Sequence, residues 1–433
     1  MERRKFIKNS LIAAGGILAA PYILPSGRLF AATGARLANH VVLALFAGGI
    51  RNKESVLQND GNLMPNMLDG ASGISPDIAG GIKSLPNAGL GYTLQSRGTL
   101  FKDFRYGAGP TGHFNGHTVA VTGKYTDTGL NLRNHPQAPT IFEYYRKHTS
   151  PDTNAKNAWW VSNSLGSYPY LEYSIHPDYG PNYAANYVAP LTLFSSSGFE
   201  ALGNPKKFSE SQNQVIDKVH DFLNGGFSKE GGQVGFQNTT PDKKLLKEYL
   251  EQVIVKRNTG QFNFPLANNL MNGDAQNVFY AAEIIKEYKP ELTVVNMTNV
   301  DIAHSNFTSY CDNLHRADYM IGYLWKTIQE TPGMADDTIL IVVPEHGRNA
   351  QPNTIVDNYG RAALDHTGDE SSRQIFNLMI GPQNKEVVKY NNTISNQLGE
   401  SIDIVPTIAH ILGFYPDIPA GLLAGRPLYE AFA

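Results

Sequence analysis

The stretch from Asp337 to Asn349, DTILIVVPEHGRN, ends an apolar run on a carboxylate, an imidazole and a guanidinium: Glu345, His346 and Arg348. Glu345 and His346 are ligand types for a hard or borderline cation, and Arg348 can neutralise an anionic substrate. A salt bridge closing a strand end explains the same residues equally well. Two other stretches shift that balance. In VVNMTNVDIAHSNF, Asp301 and His304 follow the apolar segment that begins at Val294, and Asp365-His366-Thr367-Gly368 stands shortly before the apolar run IFNLMIGP. Asp301, His304, Glu345, His346 and His366 together offer the oxygen and nitrogen donors of a divalent-metal site, with Zn, Mn and Ca all compatible.

Such a site needs a scaffold that carries distant stretches to one edge. Thr338 to Val343 are β-branched or apolar without alternation, the pattern of a strand buried on both faces of a parallel sheet. In open α/β sheets, ligands bind at the carboxyl ends of strands. Each candidate ligand falls just past a strand or in the loop after one. His40 to Asn52, HVVLALFAGGIRN, predicts a buried first strand closed by a glycine turn. Pro139 to Tyr145 predicts a helix start, Ala158 to Ser162 a strand, Ala275–Tyr288 a helix and Leu292–Met297 another strand. Asn313–Gln329 predicts an amphipathic helix through Leu314, Ala317, Ile321, Leu324 and Ile328.

This alternation predicts an α/β fold, a doubly wound and mostly parallel sheet with helices on both faces. Between residues 165 and 272 the rhythm breaks. Tyr168 to Tyr187 reads as an irregular loop rich in Tyr, Pro, Asn and Gly, followed by helices over Ser209–Leu223 and Pro241–Lys256. The expected organisation is a core of residues 36–164 and 273–433, with 165–272 inserted as a cap region over the site.

The segment GAGPTGHFNGHTVAVTGKY, Gly107 to Tyr125, sets glycines before His117 and ends in Thr122-Gly123-Lys124. A phosphate loop would need glycine at Thr118, so a P-loop NTPase is excluded. His113 and His117 are residue types for a nucleophile or a metal ligand, or ordinary packed rings.

With these motifs laid out, the chain resembles the alkaline phosphatase superfamily, which includes phosphoglycerate mutases, phosphodiesterases, phosphonate hydrolases and sulfatases. NMTNVDIAH is similar to its Asn-x-x-Asn-x-Asp-x-x-x-His metal stretch, with the Asp–His spacing one residue shorter. DTILIVVPEHG is similar to its strand ending in Asp-His-Gly, with Glu345 for Asp. Met64-Pro65-Asn66-Met67-Leu68 resembles its "P-N-L" helix start. SIDIVPTIAHILGF, Ser401 to Phe414, with Gly421 and Pro427-Leu428, is similar to its C-terminal helix. The resemblance spans most of the chain after residue 35 and is strongest from residue 292 onward.

The resemblance implies two metals side by side, one on Asp301, His304 and His366 and the other on Glu345, His346, a first-strand Asp and a hydroxyl nucleophile. Ala47-Gly48-Gly49 stands where that Asp belongs. His113 stands ten residues before Gly123, where the relatives carry Thr, Ser or a modified Cys, and Thr111 is out of register. The expectation is therefore one firmly bound divalent ion. His113, Glu345 and Arg348 are the candidate catalytic residues.

The chain has 433 residues, 41% hydrophobic and 10% aromatic, enough for a large packed core. A net charge of −3 and the absence of a basic run beyond the N-terminus argue against a nucleic-acid partner. Cys311 is the single cysteine, which excludes an intrachain disulfide and a cysteine-based metal site. Glu2-Arg3-Arg4-Lys5-Phe6-Ile7-Lys8, followed by a Gly- and Ala-rich apolar run from Leu11 to Leu24, reads as a twin-arginine export signal over residues 1–35. Gly15, Gly16 and Pro21 interrupt that run, so no stable membrane span is expected once the leader is removed.

The expected location is the periplasm or cell envelope. Two functions of different class follow. One is an exported metal-dependent hydrolase of phosphate or sulfate esters, acting on a small anionic ester. The other is a catalytically degenerate binding or scaffold protein with an envelope protein as partner.

Overall fold

The computed structural model describes residues 32–71, 73–127, 134–149, 155–163, 171–195, 197, 215, 239–367 and 369–433. The export signal read at residues 1–35 falls almost wholly outside them, as does the helix expected over Ser209–Leu223 apart from Val215.

The strands are β1 (His40–Phe46), β2 (Gly98–Arg105), β3 (Ala158–Val161), β4 (Asn186–Val188), β5 (Leu292–Met297), β6 (Thr338–Pro344), β7 (Gln374–Ile380) and β8 (Asn392–Ile394). They form one sheet in the order β4-β3-β5-β1-β6-β7-β2-β8. Every pairing is parallel except those of β7, which runs against both β6 and β2. Reach explains this mostly parallel order, because a helix between strands returns the chain to the edge it left.

The unbroken apolar run of β1 serves two cores. Val42, Ala44 and Phe46 belong to one apolar layer, and Val41, Leu43 and Leu45 to the other. Among the described residues, six helices of eight residues or more cover the two faces: α1 (His113–Thr122), α2 (Ile141–His148), α3 (Thr240–Asn258), α4 (Gly273–Tyr288), α5 (Phe307–Glu330) and α6 (Ile404–Ile411). Leu250 of α3, Phe279 of α4 and Leu314 of α5 pack in the first layer. Phe114 of α1, Tyr145 of α2 and Ile408 of α6 pack in the second. The doubly wound α/β sheet is thus the architecture of this chain. No helix among the described residues is long and apolar enough to cross a membrane.

Three local expectations change. α5 starts at Phe307 rather than Asn313, because the Asn306 side chain accepts the Ser309 N–H (2.7 Å) and caps the helix earlier. Met64–Leu68 makes a turn rather than a helix, and the buried Asp318 carboxylate holds the N–H groups of Asn66 (3.0 Å) and Met67 (2.8 Å). Asn186–Val188, which begins inside the stretch expected as a loop and ends one residue past it, is an edge strand pairing in parallel with β3. Three residues are too few for periodicity to reveal.

Candidate metal centre

Three neighbouring parallel strands end in step. Phe46 of β1 is level with Met297 of β5 and Pro344 of β6. The Ala47 N–H donates to the Met297 carbonyl (2.6 Å), and the Glu345 N–H to the Phe46 carbonyl (3.1 Å). After β5 the chain makes a 3-10 turn, Asn299–His304, that presents Asp301 and His304. After β6 come Glu345, His346 and Arg348. Because β7 runs the other way, its start lies at the same rim, and the loop before it supplies Asp365 and His366. β2 ends there too, with Arg105 opposite Gln374, and the chain returns as α1, whose first residue is His113. Gly116 lets α1 lie on the end of β6, since a Cβ there would stand 2.9 Å from both the Cβ and the carbonyl oxygen of Glu345.

These elements assemble two donor groups that share His113. In one, His113, Asp301, His304 and His366 bring ligand atoms within 4.8 Å of one another; in the other, His113, Glu345 and His346 do the same. The first group is open, with the Asp301 side chain 40% and His304 36% exposed. The second is sealed, with Glu345 and His346 both at 0%.

Three of the rings already have the tautomer a metal requires. A ring nitrogen facing an oxygen acceptor must carry the proton, which leaves the lone pair on the other nitrogen. His304 Nδ1 faces Asp365 Oδ1 (2.6 Å), His366 Nδ1 the Thr111 carbonyl (2.5 Å), and His346 Nδ1 the Gly347 carbonyl (2.8 Å). In each, Nε2 is the nitrogen turned toward the other donors of its group. His346 Nε2 is buried and faces Glu345 Oε1 at 3.1 Å. Nitrogen donors so oriented, together with the Asp301 and Glu345 carboxylates, fit a divalent cation.

The charges agree. Burial lowers the pKa of His346, only partly offset by Glu345, so this ring stays neutral. Burial, helped by His346 and His113, lowers His366 to about 2. Burial would raise the Glu345 carboxyl, but His117, His346 and His113 outweigh it and hold the group well below the usual carboxylate range. Burial likewise opposes ionisation of Asp301, and His113 and Arg348 reverse this. His113 is the mirror case: burial disfavours its cation, yet Glu345 and Asp301 raise its pKa to about 10.

The model of the type I phosphodiesterase / nucleotide pyrophosphatase family matches residues 94–401, most of the chain and all of this rim beyond β1. The chain belongs to that family, within the alkaline phosphatase superfamily. Among solved structures it is similar to an alkaline phosphatase superfamily protein from Vibrio parahaemolyticus, with 13% identity over 100% of this chain and 80% of that one and a TM-score of 0.46. It is also similar to the alkaline phosphatase PafA (10% identity, 92% and 99% covered, TM-score 0.47). A third is the lipoteichoic acid synthase LtaP from Listeria monocytogenes (12% identity, 93% and 77% covered, TM-score 0.41). No curated protein matches the chain.

This type I phosphodiesterase family chain departs from the expected centre in three places. Ala47 offers no ligand, and backbone stands in its place: the Gly48 N–H donates to Glu345 Oε1 (2.5 Å). Arg348, expected to meet an anionic substrate, is turned inward at 0% exposure. It donates to Asp301 Oδ1 (2.7 Å), to the carbonyls of Leu364 (2.9 Å) and Gly49 (3.4 Å), and to that of Gly48. The guanidinium is thus engaged with backbone and Asp301 on the protein side of the open group. Thr111, the nearest hydroxyl to the relatives' nucleophile, donates to the His366 carbonyl and is buried.

Sequence reasoning left two supporting residues, Asn296 and Asp365, without a role, and read His117 only as a nucleophile, a ligand or a packed ring. His117 Nδ1 meets Glu345 Oε2, and its Nε2 meets Asn296 Oδ1 (2.9 Å). Asp365 fixes His304. The signals were present in the sequence: Asn296 is an amide near the end of a largely apolar strand, and Asp365 immediately precedes a ligand histidine.

Proposed function

We propose that this protein hydrolyses phosphate or sulfate esters with one divalent cation held by Asp301, His304 and His366. The observation that carries the reading is the open donor group, whose imidazoles are oriented from behind by Asp365 and the Thr111 carbonyl. A donor set of two or three imidazoles and one carboxylate suits Zn or Mn better than Ca, which favours an all-oxygen shell. Bound there, such an ion supplies Lewis acidity toward a phosphoryl or sulfuryl oxygen and lowers the pKa of water.

The chain's own residues do the rest. Arg348 fixes the Asp301 carboxylate from the protein side. Glu345 Oε1 holds His113 Nδ1 at 2.7 Å, which turns His113 Nε2 toward the open group. Since Thr111 is spent on a backbone carbonyl, water is the attacking group. Residues 165–272 contribute β4 to the sheet and α3 to its first apolar layer, so the cap reading is kept only for the remainder of that stretch, and residues 1–35 are read as the twin-arginine signal that delivers the protein to the periplasm or cell envelope.

The test is metal analysis beside hydrolysis of bis(4-nitrophenyl) phosphate and 4-nitrophenyl sulfate. One bound ion and a turnover lost in Asp301→Ala are expected. A stoichiometric metal with no turnover on either ester would favour the second reading, a non-catalytic binding protein. That reading is motivated by Ala47 and by the engaged Thr111 hydroxyl.

A further inference from the structure

Of the ten large hydrophobic side chains exposed among the described residues, four fall in two segments joined at the open donor group: Ile302, Ile355, Val356 and Tyr359. Ile302 lies between the ligands Asp301 and His304. The other three stand on a hairpin over residues 353–363, whose arms pair through Val356 and Ala362. This hairpin is fastened to the metal-bearing turn. The Leu364 N–H donates to the Ala303 carbonyl (2.8 Å), and Asn353 Nδ2 donates to the His304 carbonyl (3.0 Å) and to Asp365 Oδ1 (3.2 Å). The hairpin is also built inside out. Its acid, Asp357, is turned inward, where the carboxylate accepts the N–H groups of Thr308 (2.8 Å), Tyr359 (2.9 Å) and Arg361 (3.0 Å). Val356 and Tyr359, by contrast, are left 59% and 57% exposed. Apolar groups held out in water beside a site while a carboxylate is drawn in mark a surface that meets a ligand.

We propose that this hairpin and Ile302 form the subsite for an alkyl or aryl group of the ester whose phosphoryl or sulfuryl oxygen meets the ion. This rests on the metal-dependent reading above and names its substrate class, an ester with an apolar substituent. Reach agrees. Ile355 and Val356 stand two and three residues from Asn353, at most about 7–11 Å along extended backbone, the length of a short alkyl chain or an aromatic ring. Because Asn353 touches His304, a group bonded to phosphorus or sulfur at the ion arrives at the hairpin without a spacer. A lipid surface fits less well, since it is held by cations as well as by apolar side chains. Arg361 is the hairpin's one cation and is already engaged, donating to Thr308 Oγ1 (2.6 Å) with its guanidinium 5.0 Å from the centre of the Tyr359 ring.

The test compares methyl and hexyl 4-nitrophenyl phosphate on the Zn(II)-loaded full chain, both below their micelle concentrations. The hexyl ester should have a kcat/KM about 10-fold higher, and Val356→Ser and Tyr359→Ser should each lower the hexyl-to-methyl ratio about threefold or more. Val255→Ser, at an exposed site on α3, should leave the ratio unchanged. Circular dichroism checks that each variant is folded. Equal kcat/KM for the two esters, or a ratio that both hairpin variants leave unchanged, would overturn the proposal while ester hydrolysis stood. Where neither ester turns over, the hydrolase reading fails and calorimetry decides the subsite. Hexylphosphonate binding more tightly than methylphosphonate, with the difference lost in Val356→Ser, would support it, and equal binding would overturn it. An unchanged ester ratio beside a dimer, or beside binding to phosphatidylcholine vesicles, that Val356→Ser abolishes would give the surface to another occupant and overturn it too.

Discussion

Arg348, itself fully buried, holds one half-exposed carboxylate and three backbone carbonyls at once. Arg348→Met leaves the carbonyls of Gly48, Gly49 and Leu364 without their donor, while Asp301 keeps solvent and His113, so a loss of about 1–3 kcal/mol in unfolding free energy is expected from urea denaturation. Asp365 acts differently. It is half-exposed, and its removal leaves no charge stranded. Asp365→Ala should keep the fold and weaken Zn(II) binding by about 10–100-fold in calorimetry, because His304 loses the acceptor that fixes its tautomer. The two residues also mark what a sequence discloses. Asp301, His304, Glu345, His346 and His366 are legible because ionisable side chains just past apolar strands are conspicuous. The burial of Arg348 is not, since the carbonyls of Gly48, Gly49 and Leu364 that receive it leave no trace in side-chain chemistry. The joint role of His113 is hidden for a related reason: it depends on the angle at which α1 meets the end of β6.

At the level of elements, α2 shows how a helix end can be tuned by its surroundings. Thr140 and Glu143 close its start as a reciprocal capping box. Its last residue, His148, lies with Nε2 2.9 Å from the Tyr179 hydroxyl. Burial and the neighbouring Lys147 lower the His148 pKa to about 4, against a weak opposing pull from Asp417. An unfolded chain binds this proton near pH 6.5. Between those two values the unfolded state holds more protons than the native state, so stability is full above about pH 6.5 and falls as the pH drops toward 4. Allowing for partial exposure, the loss is on the order of 1–2 kcal/mol. His148→Gln should flatten that part of the stability–pH curve relative to the wild type, measured by urea denaturation from pH 7 to pH 4. The helices and central strands were readable because their apolar patterns are long, as in α4, β1 and β6. The edge strand Asn186–Val188 was not, because three residues of mixed type take their conformation from β3 rather than from their own pattern.

For the molecule as a whole, a cation that binds the assembled rim and not the unfolded chain must raise stability. Zn(II) at about 100 times its dissociation constant should add about 2.7 kcal/mol, read as a rise in Tm that a chelator reverses. The donors come from β5, β6, the loop before β7 and the start of α1, so the site exists only when the sheet is complete. The same topology governs synthesis. β1 emerges early from the ribosome, yet its pairing partners are residues 292–297 and 338–344. Until those arrive, a wholly apolar segment that needs covering on both sides has nothing native to bind. A nascent chain arrested before residue 290 should therefore stay protease-sensitive and engage holding chaperones, and the central sheet should close only once residue 344 has emerged.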